Sequence, residues 1–179
     1  MDNKKTLFVI GPIGEAGSDV RKTADDFLDF IVKPVCADQY EIVRADLLDD
    51  PGQITSQIVQ HLRDDDLVIA DITGGNPNVF YELAIRHVTA KACIQLVNKN
   101  HPLPFDVSQM RTIPFDLSDP REIEETKARI SSQIEKCNKD GYRLVNTVSM
   151  ELNFADLEID TKEILVDILD RIDELHDTV

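Results

Sequence analysis

The sequence predicts a doubly wound α/β protein: a parallel sheet of about five strands, helices on both faces, and extra helices at the C-terminal end. Three observations predict it. Short apolar runs alternate with longer amphipathic stretches from Thr6 to about Asn138. The run LVIAD at Leu67–Asp71 is β-rich and bounded by charges, as a central strand should be. The polar phrases GPIGEAGSD, RADLLDDPG and DITGGNPN each follow a predicted strand. Right-handed crossovers would bring these three loops to one edge of the sheet, where open α/β sheets bind ligands.

The elements follow in order. TLFVIG at Thr6–Gly11 is an apolar run ending at Gly-Pro, the mark of a buried strand entering a loop. Ser18-Asp19 can cap a helix over Val20–Val35, with Ala24, Phe27, Leu28 and Ile31 on one face. YEIVR at Tyr40–Arg44 reads as the second strand, Pro51-Gly52 as a turn, and Ile54–Leu62 as a helix. After the strand Leu67–Asp71 and its loop comes a helix from Val79 to about Thr89, with Asn78 as its cap and Glu82 in its first turn. ACIQLV at Ala92–Val97 is the fourth strand, and a weaker fifth falls near Arg111–Phe115. Phe105 and Phe115 sit in two similar phrases, LPFDV and IPFDL, read as anchors of the late sheet.

Two charged amphipathic helices close the chain, over Pro120–Asn138 and Thr161–His176. The second carries Ile164, Leu165, Ile168, Leu169, Ile172 and Leu175 on one stripe. The reading divides the chain into an α/β domain over 1–145 and an acidic helical extension over 146–179. That extension packs on the domain or, as in a coiled-coil seam, on a second copy in a homodimer.

Composition excludes several classes of function. Nineteen basic against 34 acidic residues give a net charge of −15, and residues 151–179 alone hold ten acidic and two basic residues. Such a surface repels phosphate backbones, so no nucleic acid is expected to bind through a basic face. No apolar run is long enough to span a membrane, and a soluble, cytoplasmic protein is expected. The three cysteines, Cys36, Cys93 and Cys137, are widely spaced and read as reduced thiols. With no CxxC pair and four scattered histidines, neither a metal site nor a cofactor is expected.

The segment DLVIADITGGNPNVFYELAIRH carries the chemistry. A strand delivers Asp71 to the sheet edge, a loop with Gly75, Asn76 and Asn78 follows, and the next helix carries Tyr81, Glu82 and Arg86. Arg86 stands four positions after Glu82, so it either pairs with that carboxylate or contacts a ligand. Gly11 and Gly14 open a loop that enters a helix, where backbone N–H groups can hold a phosphate; Arg21, Arg44 and Arg86 are the candidate cations.

These residues resemble the nucleoside 2-deoxyribosyltransferase-like superfamily, which is related in architecture to TIR-type NAD-cleaving domains. In that family a strand ending in Asp or Asn is followed by a Gly/Asp/Asn-rich loop and a helix bearing FELG or YELG. Here Tyr81, Glu82 and Leu83 match, and Ala84 stands where the family has Gly. FVIGPIG, with Gly11, Pro12, Ile13 and Gly14, resembles the first strand and the loop that runs beside sugar and base. The resemblance covers roughly residues 6–100. It implies a flavodoxin-like fold and an enzyme that cleaves or exchanges the N-glycosidic bond of a nucleoside, nucleotide or NAD. Glu82 would be the nucleophile or charge stabiliser at C1′ and Asp71 a second catalytic group. Asp19 or Asp46 would hold the sugar, and Asn76 and Asn78 would orient it. Two rival readings use the same fold: a sensor that binds a nucleotide-derived signal without turning it over, and a scaffold that only assembles.

Overall fold

A computed structural model describes residues 4–47, 54–146 and 148. Five strands form one all-parallel sheet: β1 (Lys5–Ile10), β2 (Tyr40–Arg44), β3 (Leu67–Asp71), β4 (Cys93–Asn98) and β5 (Thr112–Phe115). Their spatial order is β2-β1-β3-β4-β5, the flavodoxin-like arrangement expected from the sequence. The order reverses between β1 and β3, so the crevice of the fold lies where the loops after these two strands diverge.

Alternation along the strands assigns each side chain to one of two cores. Leu7, Val9, Leu67, Ile69, Ile94 and Leu96 face one way and pack on Phe27, Ile31, Val32, Ile130 and Ile134. Phe8, Ile10, Val68, Ala70 and Val97 face the other way and pack on Leu62, Val79, Leu83 and Ile85. The first set of helices is α1 (Asp19–Phe27), α2 (Lys33–Cys36) and α5 (Pro120–Cys137); the second is α3 (Ile54–Asp64) and α4 (Pro77–Val88). Both faces are therefore covered, which is why all five positions of β3 are buried. Each fully buried aliphatic side chain contributes about 1.5–3 kcal/mol.

The helix expected as one piece over Val20–Val35 is interrupted. Between α1 and α2 lies a π-helical turn, Leu28–Val32, in which the Lys33 N–H reaches back to the Leu28 carbonyl. Pro34 has no N–H to offer Phe30, so the α-helical ladder is broken there and the wider turn absorbs the gap. α4 also departs from expectation. It begins at Pro77, two residues early, because Asn76 is its cap: Asn76 Oδ1 accepts the Asn78 N–H at 2.9 Å. Proline suits the first helical position, where its missing N–H has no partner to lose. Asn78 is thus a helical residue, and Glu82 falls in the second turn.

The turn at Pro51-Gly52, the helix over Thr161–His176, the extension 146–179 beyond its first residues and the homodimer expected through it lie outside the described residues. Among the described residues no helix is long and apolar enough to cross a membrane.

Candidate functional site

The loops after β1 and β3 meet at close quarters. A Cβ added to Gly11 would stand 3.2 Å from the Asp71 Cβ, so glycine lets the two strand ends approach more nearly than a larger residue could without Asp71 giving way by a few tenths of an ångström. Three residues on, a Cβ on Gly14 would lie 2.8 Å from the Val20 Cβ and press on the Ser18 hydroxyl. That hydroxyl caps α1, accepting the Arg21 N–H at 3.1 Å. Pro12 and Ile13 are half-buried between these glycines, and Asp19 is exposed in the first turn of α1.

Asp71 ends β3 at 6% exposure. Its Oδ1 accepts both the Thr73 N–H, at 3.0 Å, and the Thr73 hydroxyl. The Thr73 oxygen in turn accepts the Asn98 N–H at 2.8 Å, so one carboxylate ties the loop after β3 to the end of β4. Burial raises the Asp71 pKa, opposed by its bonds to Thr73. Gly74 and Gly75 follow with φ of +76° and +67°, a left-handed pair that reverses the chain into Asn76. Gly75 and Asn78 are exposed, and Asn76 is held by its capping bond.

Glu82 is brought to this edge by α4. Val79, Glu82, Leu83 and Arg86 share the i, i+3, i+4, i+7 stripe, and the other three are buried in the core. The carboxylate therefore stands half-buried along the core-facing stripe, in the second turn of the helix. Burial pushes its pKa up to about 7. Among the described residues it has no hydrogen-bond or ion-pair partner. A largely desolvated carboxylate without a partner is an unstable arrangement for structure and a useful one for stabilising a cation. Tyr81, beside it, is half-buried and packs on the same core.

The cations behave differently from expectation. Arg44 is 3% exposed at the end of β2 and donates to Asp46 through Nε at 2.6 Å and Nη2 at 2.9 Å, to Asp25 through Nη2 at 2.5 Å, and to the Ala24 carbonyl at 3.0 Å. Arg21 joins the same cluster, with Nη2 2.7 Å from Asp46 and Nε 3.2 Å from Asp25. The Arg44 bond holds the Asp25 carboxyl below its usual range. Two arginines and two aspartates thus bind each other and fasten α1 to the end of β2. Asp25 is a partner that the sequence reading missed.

Arg86 is a correction. It neither pairs with Glu82 nor reaches the loops: it is fully buried and donates to the Leu62 and Asp65 carbonyls at 2.9 Å and to the Ala92 carbonyl at 2.8 and 3.2 Å. These bonds lock the C-terminal end of α3 and the turn after α4 onto one side chain. Burial lowers its pKa. The expected pairing fails because the guanidinium is taken up by these three carbonyls, away from the Glu82 carboxylate one turn earlier. The thiols of Cys36 and Cys93 are likewise buried, and each is pushed up to about 12, which removes them as nucleophiles. Among the described residues no group of three or more His, Cys, Asp or Glu could hold a metal ion.

Strand order and loop placement together define a flavodoxin-like α/β protein with its polar loops gathered at the topological switch point. No protein-family model and no curated protein matches the chain. Among solved structures it is similar to a 2-deoxyribosyltransferase from Leishmania mexicana, at 13% identity and a TM-score of 0.43 over 59% of this chain and 70% of that one. It is also similar to a CMP N-glycosidase from Clostridium botulinum, at 16% identity and a TM-score of 0.49 over 69% of this chain and 99% of that one. The flavodoxin-like assignment rests on the strand order itself.

Proposed function

We propose that the chain cleaves or exchanges the N-glycosidic bond of a nucleoside, a nucleotide or NAD, with Glu82 as the group that meets C1′. The observation that carries this reading is the half-buried, unpartnered Glu82 carboxylate in the second turn of the helix that leaves the Asp71 loop. As the C1′–N bond breaks, its electron pair leaves with the base, and positive charge builds on the sugar. A carboxylate fixed beside that carbon either forms a bond to it or holds the charge until an acceptor arrives. Water as acceptor gives hydrolysis; a second base gives exchange. The departing base takes up one proton, and Asp71, at the start of the loop that leads into α4, is the candidate acid. The bonds from Thr73 to Asp71 Oδ1 support a positioning role for that oxygen and leave Oδ2 without a described partner.

The site would bind substrate through the backbone of Gly11–Gly14 and through Asn78, whose side chain is exposed beside the loop. The Arg21–Arg44–Asp25–Asp46 cluster supports this edge from behind. The experiment is a product screen: incubation with nucleosides, nucleoside monophosphates and NAD, with chromatography for a released free base. Release of a base from at least one class is expected. No release from any of them, with a folded protein, refutes the catalytic reading.

A further inference from the structure

At the other end of the sheet, a cavity of about 380 Å³ opens between the start of β5, the last turn of α5 and the turn at 142–145. Three cations line it, Arg111, Lys136 and Arg143, and no carboxylate does. In a chain with 34 acidic residues this is a marked local reversal. Arg21, Arg44, Arg63, Arg121 and Arg129 are each ion-paired. Arg111, Lys136 and Arg143 are in no ion pair among the described residues.

An independent feature borders the same cavity. Gln95, on β4, is 2% exposed and lines it. Its Nε2 lies 2.9 Å from His87 Nε2, and its Oε1 has no hydrogen-bond partner. Burial lowers the His87 pKa to about 4, so the ring is neutral at pH 7 and its Nε2 accepts the amide N–H. Gln95 is thereby turned with its carbonyl oxygen left over. Buried acceptors are ordinarily satisfied, and this one is left over on a residue that lines the cavity, just beneath its wall.

We propose that this cavity is a second ligand site, built for a small organic anion of the phosphate-ester or carboxylate class that also carries an O–H or N–H donor. The anionic end would meet Arg111, Lys136 and Arg143, and the donor would meet Gln95 Oε1. The site is separate from the Glu82 edge: it opens where β5 begins, whereas the polar loops follow the ends of β1 and β3.

Isothermal titration of the full chain with glycerol phosphate and with sulfate tests this, because sulfate has the charge but no donor. Both anions should bind, glycerol phosphate more tightly. Arg111→Ala and Arg143→Ala, both at exposed positions, should weaken both anions about tenfold without changing the fold. Gln95→Leu should weaken glycerol phosphate and leave sulfate unchanged; where that variant fails to fold, the arginine variants still decide. Glu82→Gln should leave both affinities intact. Loss of binding in Glu82→Gln but not in Arg143→Ala would place the anion at the other edge and overturn the proposal. Absence of binding at millimolar anion, with a melting temperature lowered by Arg143→Ala, would mean that these cations serve the chain's own acidic residues, and would overturn it equally.

Discussion

Replacing Glu82 by glutamine should stabilise the protein, and only at high pH. Burial raises the Glu82 pKa from 4.5 to about 7. Between these values the folded chain holds a proton that the unfolded chain has released. The contribution of this group is therefore complete below pH 4.5 and is lost as pH rises through 7. At ~1.36 kcal/mol per pKa unit, the ionised carboxylate costs the folded state roughly 3 kcal/mol at pH 8.5. Glutamine keeps the shape and carries no charge, so it escapes this cost. Urea denaturation of both proteins across pH 5–8.5 should show the difference between them growing by about 2–3 kcal/mol towards the alkaline end. In thermal melts this amounts to a shift of about 5–10 °C for a chain of this size. Parallel stability curves would show that Glu82 is solvated in the folded state and would remove the physical basis of its assignment.

Other substitutions probe the frame around the site. Arg86→Ala leaves three backbone carbonyls without their donor and should cost about 3 kcal/mol or more in chemical denaturation, with any surviving folded protein still binding ligand. Asn76→Ala removes the α4 cap and should cost about 1 kcal/mol, whereas Asn78→Ala should leave stability within ~0.5 kcal/mol and weaken substrate binding. Ala90 holds a φ of +52° just after α4, so Ala90→Gly should relieve that strain and raise stability by about 1 kcal/mol, measured by urea titration.

The fold was legible because period and punctuation agreed at every strand. Tyr40–Arg44 and Leu67–Asp71 were placed to the residue, since each is an apolar run bounded by charges or polar loops. The convergence of Gly11 with Asp71 followed from chain order alone, because parallel right-handed crossovers leave no other edge for both loops. The start of α4 was misplaced by two residues because two asparagines flank a proline. The decisive signal, proline's fitness for the first helical position, pointed to Asn76 and was overlooked.

Charged side chains were the least legible. Arg86 and Arg44 stand beside functional-looking residues in the sequence, yet beyond the near partners Ala92 and Asp46 they bind backbone carbonyls 21 to 24 residues away and the Asp25 carboxylate 19 residues away. No local pattern encodes the distant ones. The two P-F-D phrases show the same limit. Phe115 is fully buried against Phe27, with ring centroids 5.1 Å apart, and Phe105 is 85% exposed. The Asx turn at Asp71–Thr73 could have been read from D-I-T, since aspartate commonly binds the backbone N–H two residues on. The half-buried state of Glu82 was open to reading from its spacing to Val79, Leu83 and Arg86, and its lack of a partner needed the folded chain.

The most direct test of the account compares free-base release by the wild-type chain and by Glu82→Gln on whichever nucleoside, nucleotide or NAD substrate is turned over, as a function of pH. The account predicts that wild-type activity rises with pH through about 7 as Glu82 ionises, and that the glutamine variant releases base at least ~10²-fold more slowly while remaining folded. Release by the folded glutamine variant at a rate close to wild type would contradict it.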